Sequence, residues 1–215
     1  MKDFAKLRRG MVDRQLRRRG IADERVLAAM GEVPREAFVP EALRDRAYAD
    51  SALPIEAEQT ISQPWIVAAI CQALRLSGSE LVLEVGTGSG YSAAVLSRLA
   101  SHVVSIERHA ALSRSAAEVL ERLEIRNVEL LVGDGSLGVP ERAPFDAIAV
   151  HATAPAAPPA LLDQLAEGGR LVVPIAGGEA DVLTVLRREG ESFESAVISP
   201  CRFVPLIGEE GFGDR

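Results

Sequence analysis

Five short apolar runs follow one another between residues 81 and 175: LVLEV (81–85), HVVSIE (102–107), VELLV (128–132), FDAIAV (145–150) and RLVVPI (170–175). Between them lie YSAAVLSRLA, HAALSRSAAEVLERLEI and PPALLDQLAEGG, each with the apolar spacing of an amphipathic helix. A strand–helix–strand rhythm of this kind feeds right-handed crossovers into one mostly parallel sheet. After the fifth run the rhythm breaks. DVLTVLRR and FESAVISPCRFVPL, separated by EGES, read as two strands joined by a tight turn, which adds an antiparallel edge. The expected fold is therefore a doubly wound α/β architecture with a seven-stranded sheet.

Ahead of the sheet, residues 1 to about 47 show helical spacing (Met11, Gln15, Leu16, then Val26, Leu27, Met30), interrupted at Gly20, Gly31, Pro34 and Pro40. Two or three short helices fit there. A further helix, WIVAAICQALRLSG, is expected to close on Gly78. The chain divides into an N-terminal helical segment with a covering loop (1–62), an α/β core (63–176) and C-terminal strands (177–215).

Composition excludes several classes. With 47% hydrophobic and 26% charged residues and no long apolar stretch, the 215-residue chain reads as one soluble domain without a membrane role. The first residues lack the apolar segment and cleavage site of a secretory signal, which points to a cytoplasmic protein. Cys71 and Cys201 have no C-x-x-C partner, so no metal is expected and both read as buried free thiols. A net charge of −7 and a pI near 5.1 argue against nucleic acid as partner. The arginines between Arg8 and Arg19 read as one solvated helix face. A monomer is expected.

Directly after the first run comes Glu84-Val85-Gly86-Thr87-Gly88-Ser89-Gly90, followed by a helix. Glycines let the backbone turn and let a ligand approach the main chain, while the helix start points amides at it. Glu107 closes the second strand about 20 residues on, where a carboxylate accepts from both hydroxyls of a ribose. Asp134 closes the third in LLVGDGS, placed to accept from an adenine amino group. The spacing is G-x-G-x-G, with an acidic residue two positions before the first glycine. Dinucleotide folds use G-x-G-x-x-G. The pattern matches S-adenosylmethionine instead, and an acidic loop suits its cationic sulfonium and ammonium.

The runs RGIADERVLAAMGEVPREAFVP, LPIEAEQTISQPWIVA, VLEVGTGSGYSAAVL, IERHAAL, GDGSLGVPERAPFDAIAV, PPALLDQLAEGGRLVVPI and CRFVPLIG resemble the protein-L-isoaspartate (D-aspartate) O-methyltransferase family over nearly the whole length. QTISQP, GDG…PFDAI and RFVPL carry the specificity of that resemblance. It implies a Rossmann-like methyltransferase that moves the methyl of S-adenosylmethionine, leaving S-adenosylhomocysteine, onto the free carboxylate of isoaspartyl residues in damaged proteins. The ester then re-forms a succinimide that can open to normal Asp.

The resemblance makes Ser62 the active residue. It implies cofactor contacts at Glu84, Gly86, Thr87, Gly88, Ser89 and Gly90, and further along at Glu107, Arg108, Asp134 and Gly135. Thr60, Ile61, His151 and Arg202 are candidates on the substrate side. Two departures stand out: Glu56-Ala57-Glu58 replaces the usual G-x-G before QTIS, and His151 stands where Thr is common. His151 either bonds the substrate or caps its loop, and Arg202 either faces the substrate or covers the edge strand. A carboxylate methyltransferase with another substrate and a non-catalytic cofactor-binding module are the rival readings.

Overall fold

The computed structural model describes residues 2–213. The chain opens with α1 (Phe4–Met11), which runs on through a π turn (Val12–Leu16) and a 3-10 turn (Arg17–Arg19) to a left-handed stop at Gly20. Helix α2 (Glu24–Glu32) follows, capped by the Asp23 carboxylate, which accepts from the Arg25 and Val26 amides. Gly31 lies inside α2 and does not interrupt it; the helix ends at Glu32, with Pro34 two residues beyond. Two 3-10 turns (Arg35–Phe38 and Glu41–Arg46) lead to a small hairpin of β1 (Leu53–Pro54) and β2 (Thr60–Ile61).

Helix α3 (Pro64–Leu74) starts with Pro64 in its first turn, where the missing N–H costs nothing. It stops four residues before Gly78. Arg75 takes the left-handed cap conformation at φ 54°, and Leu76 then turns into the core, its carbonyl accepting from Arg25 Nη1. From there the expected rhythm appears: β3 (Leu81–Val85), α4 (Tyr91–Leu96), β4 (His102–Glu107), α5 (Ala110–Arg122), β5 (Val128–Val132) and β6 (Phe145–Val150).

The segment PPALLDQLAEGG is only in part a helix. Its helix α6 (Pro159–Asp163) has five residues, because Gln164 turns inward to accept from the Val139 amide and donate to the Leu137 carbonyl. Leu165 already pairs with Phe145, so β7 (Leu165–Ile175) begins early and bulges through the glycine pair at 168–169. Strands β8 (Asp181–Glu189) and β9 (Ser192–Cys201) complete the sheet.

The seven strands lie in the order β5-β4-β3-β6-β7-β8-β9, parallel up to β7 and antiparallel beyond it. Period-two alternation sends Val82, Val103, Ala147, Ala149 and Val172 to one face, where α3, α4 and the N-terminal helices pack. Leu83, Val85, Val104, Ile148 and Val173 go to the other, under α6. Met11, Leu16 and Met30 belong to the first core, so the N-terminal segment is bound to the sheet by the same apolar contacts as α3. Direction reverses between β3 and β6: the chain winds outward to β5 and then returns to the far side of β3. That switch leaves a crevice at the carboxyl ends of the strands.

Of the arginine run, Arg9, Arg14, Arg17, Arg18 and Arg19 are exposed as expected and only Arg8 is half-buried, but several make specific contacts. Arg8 donates to Tyr48 and Glu36, Arg17 pairs with Glu24, and Arg19 pairs with Asp50 while lying 4.6 Å over the Trp65 ring. Trp65 accordingly packs on the N-terminal segment, donating to the Arg19 carbonyl. Cys71 is buried, but Cys201, at the end of an edge strand, is half-buried. Among the described residues no helix is long and apolar enough to cross a membrane, and no His/Cys/Asp/Glu group is placed to hold a metal.

Candidate active site

The crevice at the ends of β3, β4 and β6 holds a cavity of about 440 Å³, the size range of small-ligand sites. Gly86, Thr87, Gly88 and Ser89 line one side, and Glu107, Arg108, His109 and Gly135 the next. Thr60, Ile61 and Ser62 face them with His151, and residues 204–207 form the remaining wall. One cavity therefore gathers the glycine turn, the acid closing β4 and the TIS run, which are far apart in sequence.

The turn after β3 needs its glycines for two different reasons. Gly86 has φ 92°, a left-handed conformation that strains any side chain, while a Cβ there would make only ordinary contact with His151 at 3.5–3.8 Å. At Gly90 a Cβ would lie 3.0 Å from that of Ala116, so this glycine serves the packing of α4 on α5 and lies outside the cavity lining. Glu107 is buried, and its two oxygens accept from the Gly88 and His109 amides, each at 2.9 Å. A carboxylate has about four acceptor positions, so it retains capacity for a pair of hydroxyls. The acid and the open glycine turn together fit the ribose and methionine ends of S-adenosylmethionine.

Glu84 is not at the cavity surface. It is fully buried beneath the turn, where Ser105 Oγ donates to its Oε2 at 2.5 Å and Thr87 donates in turn to Ser105 at 2.6 Å. Burial pushes the Glu84 carboxyl up to about 8, against lowering by Ser105 and Ser92. His151 Nε2 lies 2.8 Å from Ser92 Oγ and 3.5 Å from Glu84 Oε1, and burial pulls the imidazole down to about 4. At neutral pH this cluster carries a protonated acid and a neutral histidine, so Glu84 brings no negative charge to the free site.

These shifts have opposite signs in stability. Between 4.5, its unfolded value, and about 8, folded Glu84 holds a proton that the unfolded chain releases, so stability falls as pH rises. For His151 the unfolded chain takes up the proton, so stability falls as pH drops from 6.5 to about 4. Of these two groups, only Glu84 contributes between pH 6.5 and about 8, the window in which its effect is read. Glu84→Gln is expected to remove a decline of roughly 1 kcal/mol per pH unit on the alkaline side. Thermal unfolding across a pH series checks this, and an unaltered slope contradicts a protonated Glu84.

Asp134 lies beside the cavity and not in its lining. Its Oδ1 accepts from the Ser136 amide and hydroxyl, and its Oδ2 accepts from the Glu209 amide at 2.8 Å. Burial raises its pKa, but those hydrogen bonds outweigh it and hold the carboxyl below the usual range. Its oxygens are thus engaged by its own loop and the C-terminal segment, and Gly135 is the member of this pair that lines the cavity. Arg202 is exposed and is not among the lining residues.

Ser62 occupies the two-residue link between β2 and α3 without capping the helix. Gln63 is the N-cap residue, and its side chain donates to Asp50 instead of the helix amides. The Ser62 carbonyl accepts from Arg35 Nη2 at 2.7 Å. Above it, the hairpin turn places Ala57 and Glu58 at φ 55° and 56°, and Gln59 N donates to the Glu56 carbonyl. Two left-handed residues in succession are the signature of a mirror-image hairpin turn, which favours Asn-Gly. Glu58 lines the cavity mouth and its side chain is exposed. Replacing it by glycine is expected to stabilise the fold by about 1 kcal/mol. Chemical denaturation measures this, and a destabilised variant would contradict a strained turn.

Sequence reasoning did not find His109, Ser92, Tyr91 or the 204–207 wall. His109 reads as a surface residue flanking β4, yet it begins α5 with its amide on Glu107. Val204, Pro205 and Leu206 stand inside the RFVPL run and were reachable from it.

Comparison with known proteins gives the family. A family model described as "Protein-L-isoaspartate(D-aspartate) O-methyltransferase (PCMT)" matches residues 8–211. Protein-L-isoaspartate O-methyltransferase 2 of Pelobacter propionicus is 54% identical, covering 94% of this chain and 91% of that protein. Protein-L-isoaspartate O-methyltransferase of Koribacter versatilis is 50% identical, covering 97% and 94%. Among solved structures, a putative protein-L-isoaspartate O-methyltransferase of Plasmodium falciparum in complex with S-adenosyl-L-homocysteine superimposes with a TM-score of 0.81. It is 26% identical, over 93% of this chain and 98% of that one. On sequence and fold, the chain belongs to the protein-L-isoaspartate(D-aspartate) O-methyltransferase family.

Proposed function

We propose that this chain methylates the free carboxylate of L-isoaspartyl or D-aspartyl residues in damaged proteins and peptides, initiating repair through a succinimide. The observation that carries this reading is that Thr60, Ile61 and Ser62 share one cavity with the glycine turn and Glu107. When bound, S-adenosylmethionine supplies an electrophilic methyl group on a cationic sulfur.

The protein's own part is positioning. Glu107 would hold the ribose hydroxyls, and the turn from Gly86 to Ser89 would meet the methionine end through its main chain. A substrate carboxylate has a reference pKa near ~4, so it arrives ionised and needs no base. The Ser62 hydroxyl donates to one carboxylate oxygen and keeps the other in line for attack. Neutral His151, bonded to Ser92, supports the floor and takes no proton.

Paired peptides differing only in isoaspartate or aspartate test the reading. Methyl incorporation is expected for the isomerised peptide alone. Equal labelling of both, or labelling of neither, would favour a carboxylate methyltransferase with another substrate.

A further inference from the structure

Arg35 is 0% exposed, yet no described carboxylate forms an ion pair with it. Its Nε donates to the Ala47 carbonyl at 2.8 Å and its Nη2 to the Ser62 carbonyl at 2.7 Å. The guanidinium carbon lies 4.8 Å from the centre of the Tyr91 ring, and Nη1 has no hydrogen-bond partner. The adjacent carboxylate, Glu36, is already engaged by Arg8 and the Tyr48 hydroxyl. A buried cation without a counterion is unfavourable unless something supplies the opposite charge. The two groups it grips or stacks on, Ser62 and Tyr91, both line the active cavity.

We propose that Arg35 is a positioning residue with two separable effects: its fork fixes the Ser62 main chain, and its unpaired charge favours binding of the substrate carboxylate. The proposal rests on the isoaspartyl reading above. Methyl transfer removes the negative charge from the carboxylate, so attraction by Arg35 is strongest in the ground state and disappears in the ester. Charge therefore lowers KM and favours release of the neutral product, and it gives nothing to kcat, opposing it slightly because the attraction fades as the carboxylate loses charge in the transition state. The fork acts on the geometry of the Ser62 hydroxyl, which is expressed in kcat.

Arg35→Lys and Arg35→Gln separate the two. With an isoaspartyl peptide, Lys is expected to lower kcat about tenfold and leave KM within about twofold, since charge remains and the fork is lost. Gln is expected to lower kcat similarly and raise KM about tenfold. S-adenosylhomocysteine affinity, measured by calorimetry, stays near wild type in both. Equal KM values for Lys and Gln, or a parallel loss of S-adenosylhomocysteine affinity, overturn the proposal.

If the variants do not fold, nitrogen-15 NMR of the wild-type protein decides. The Arg35 Nε–H signal is expected to shift when isoaspartyl peptide is added to the S-adenosylhomocysteine complex, and not when the peptide's methyl ester is added. An unmoved signal in an enzyme that methylates the peptide overturns the role of Arg35 alone. A wild-type enzyme that methylates no isoaspartyl peptide overturns the substrate reading and this inference with it.

Discussion

Ser62→Ala is expected to lower turnover of an isoaspartyl peptide by about a hundredfold, the cost of a reacting pair held out of line. S-adenosylhomocysteine affinity should remain within about threefold. The backbone at this position is fixed by groups other than the Ser62 side chain. Arg35 grips its carbonyl, Gln63 is tied to Asp50, and Pro64 begins α3. Removing the hydroxyl therefore leaves the loop in place and removes only the donor. Because the carboxylate is already ionised, the lost contribution is orientation, so the pH dependence of the residual activity should match wild type. An unchanged turnover number would exclude Ser62 from the reaction.

Glu107→Ala is expected to weaken S-adenosylhomocysteine binding by about a hundredfold or more. Two amides, those of Gly88 and His109, lose their charged acceptor, and hydrogen bonds of this type contribute about 1.5–3 kcal/mol each. One amide belongs to the glycine turn and the other to the start of α5, so the carboxylate joins the two loops that frame the cavity. The ribose acceptors go with it. Calorimetric titration with S-adenosylhomocysteine measures the loss. Binding within threefold of wild type would show that Glu107 serves its own loops and not the ligand.

The succession of strands along the chain was legible because their apolar runs are bounded by turn residues. The runs 81–85, 102–107, 128–132 and 145–150 coincide with β3 to β6. Limits were misread where tertiary contacts override local preference. Gln164 has ordinary helical character, but its buried bonds to Val139 and Leu137 end α6 early, and the core draws Leu76 out of α3.

At the site, the glycine turn and Glu107 were readable because their spacing follows from the sheet, whereas the TIS run, in the separate β1–β2 hairpin and its link to α3, was marked only by the family resemblance. Arg35 was not readable, since an arginine in PREAF looks like a surface residue until the fold closes over it. Nor was the protonated state of Glu84, which sequence marks as an acid and burial makes neutral. Asp134 was readable as a strand-end acid, but not its engagement by the Glu209 amide, 75 positions away.

That last contact joins two halves of the site mechanically. Asp134 holds the Glu209 amide, Ser136 Oγ holds that of Glu210, and the Glu210 side chain accepts from Ala160 N. The same short segment carries Leu206 and Ile207, which wall the cavity. A ligand that displaces the Asp134 carboxylate thus acts on that wall through Glu209 and Gly208. Thermodynamic reciprocity then requires that whatever cofactor occupancy does to peptide affinity, peptide occupancy does to cofactor affinity by the same factor.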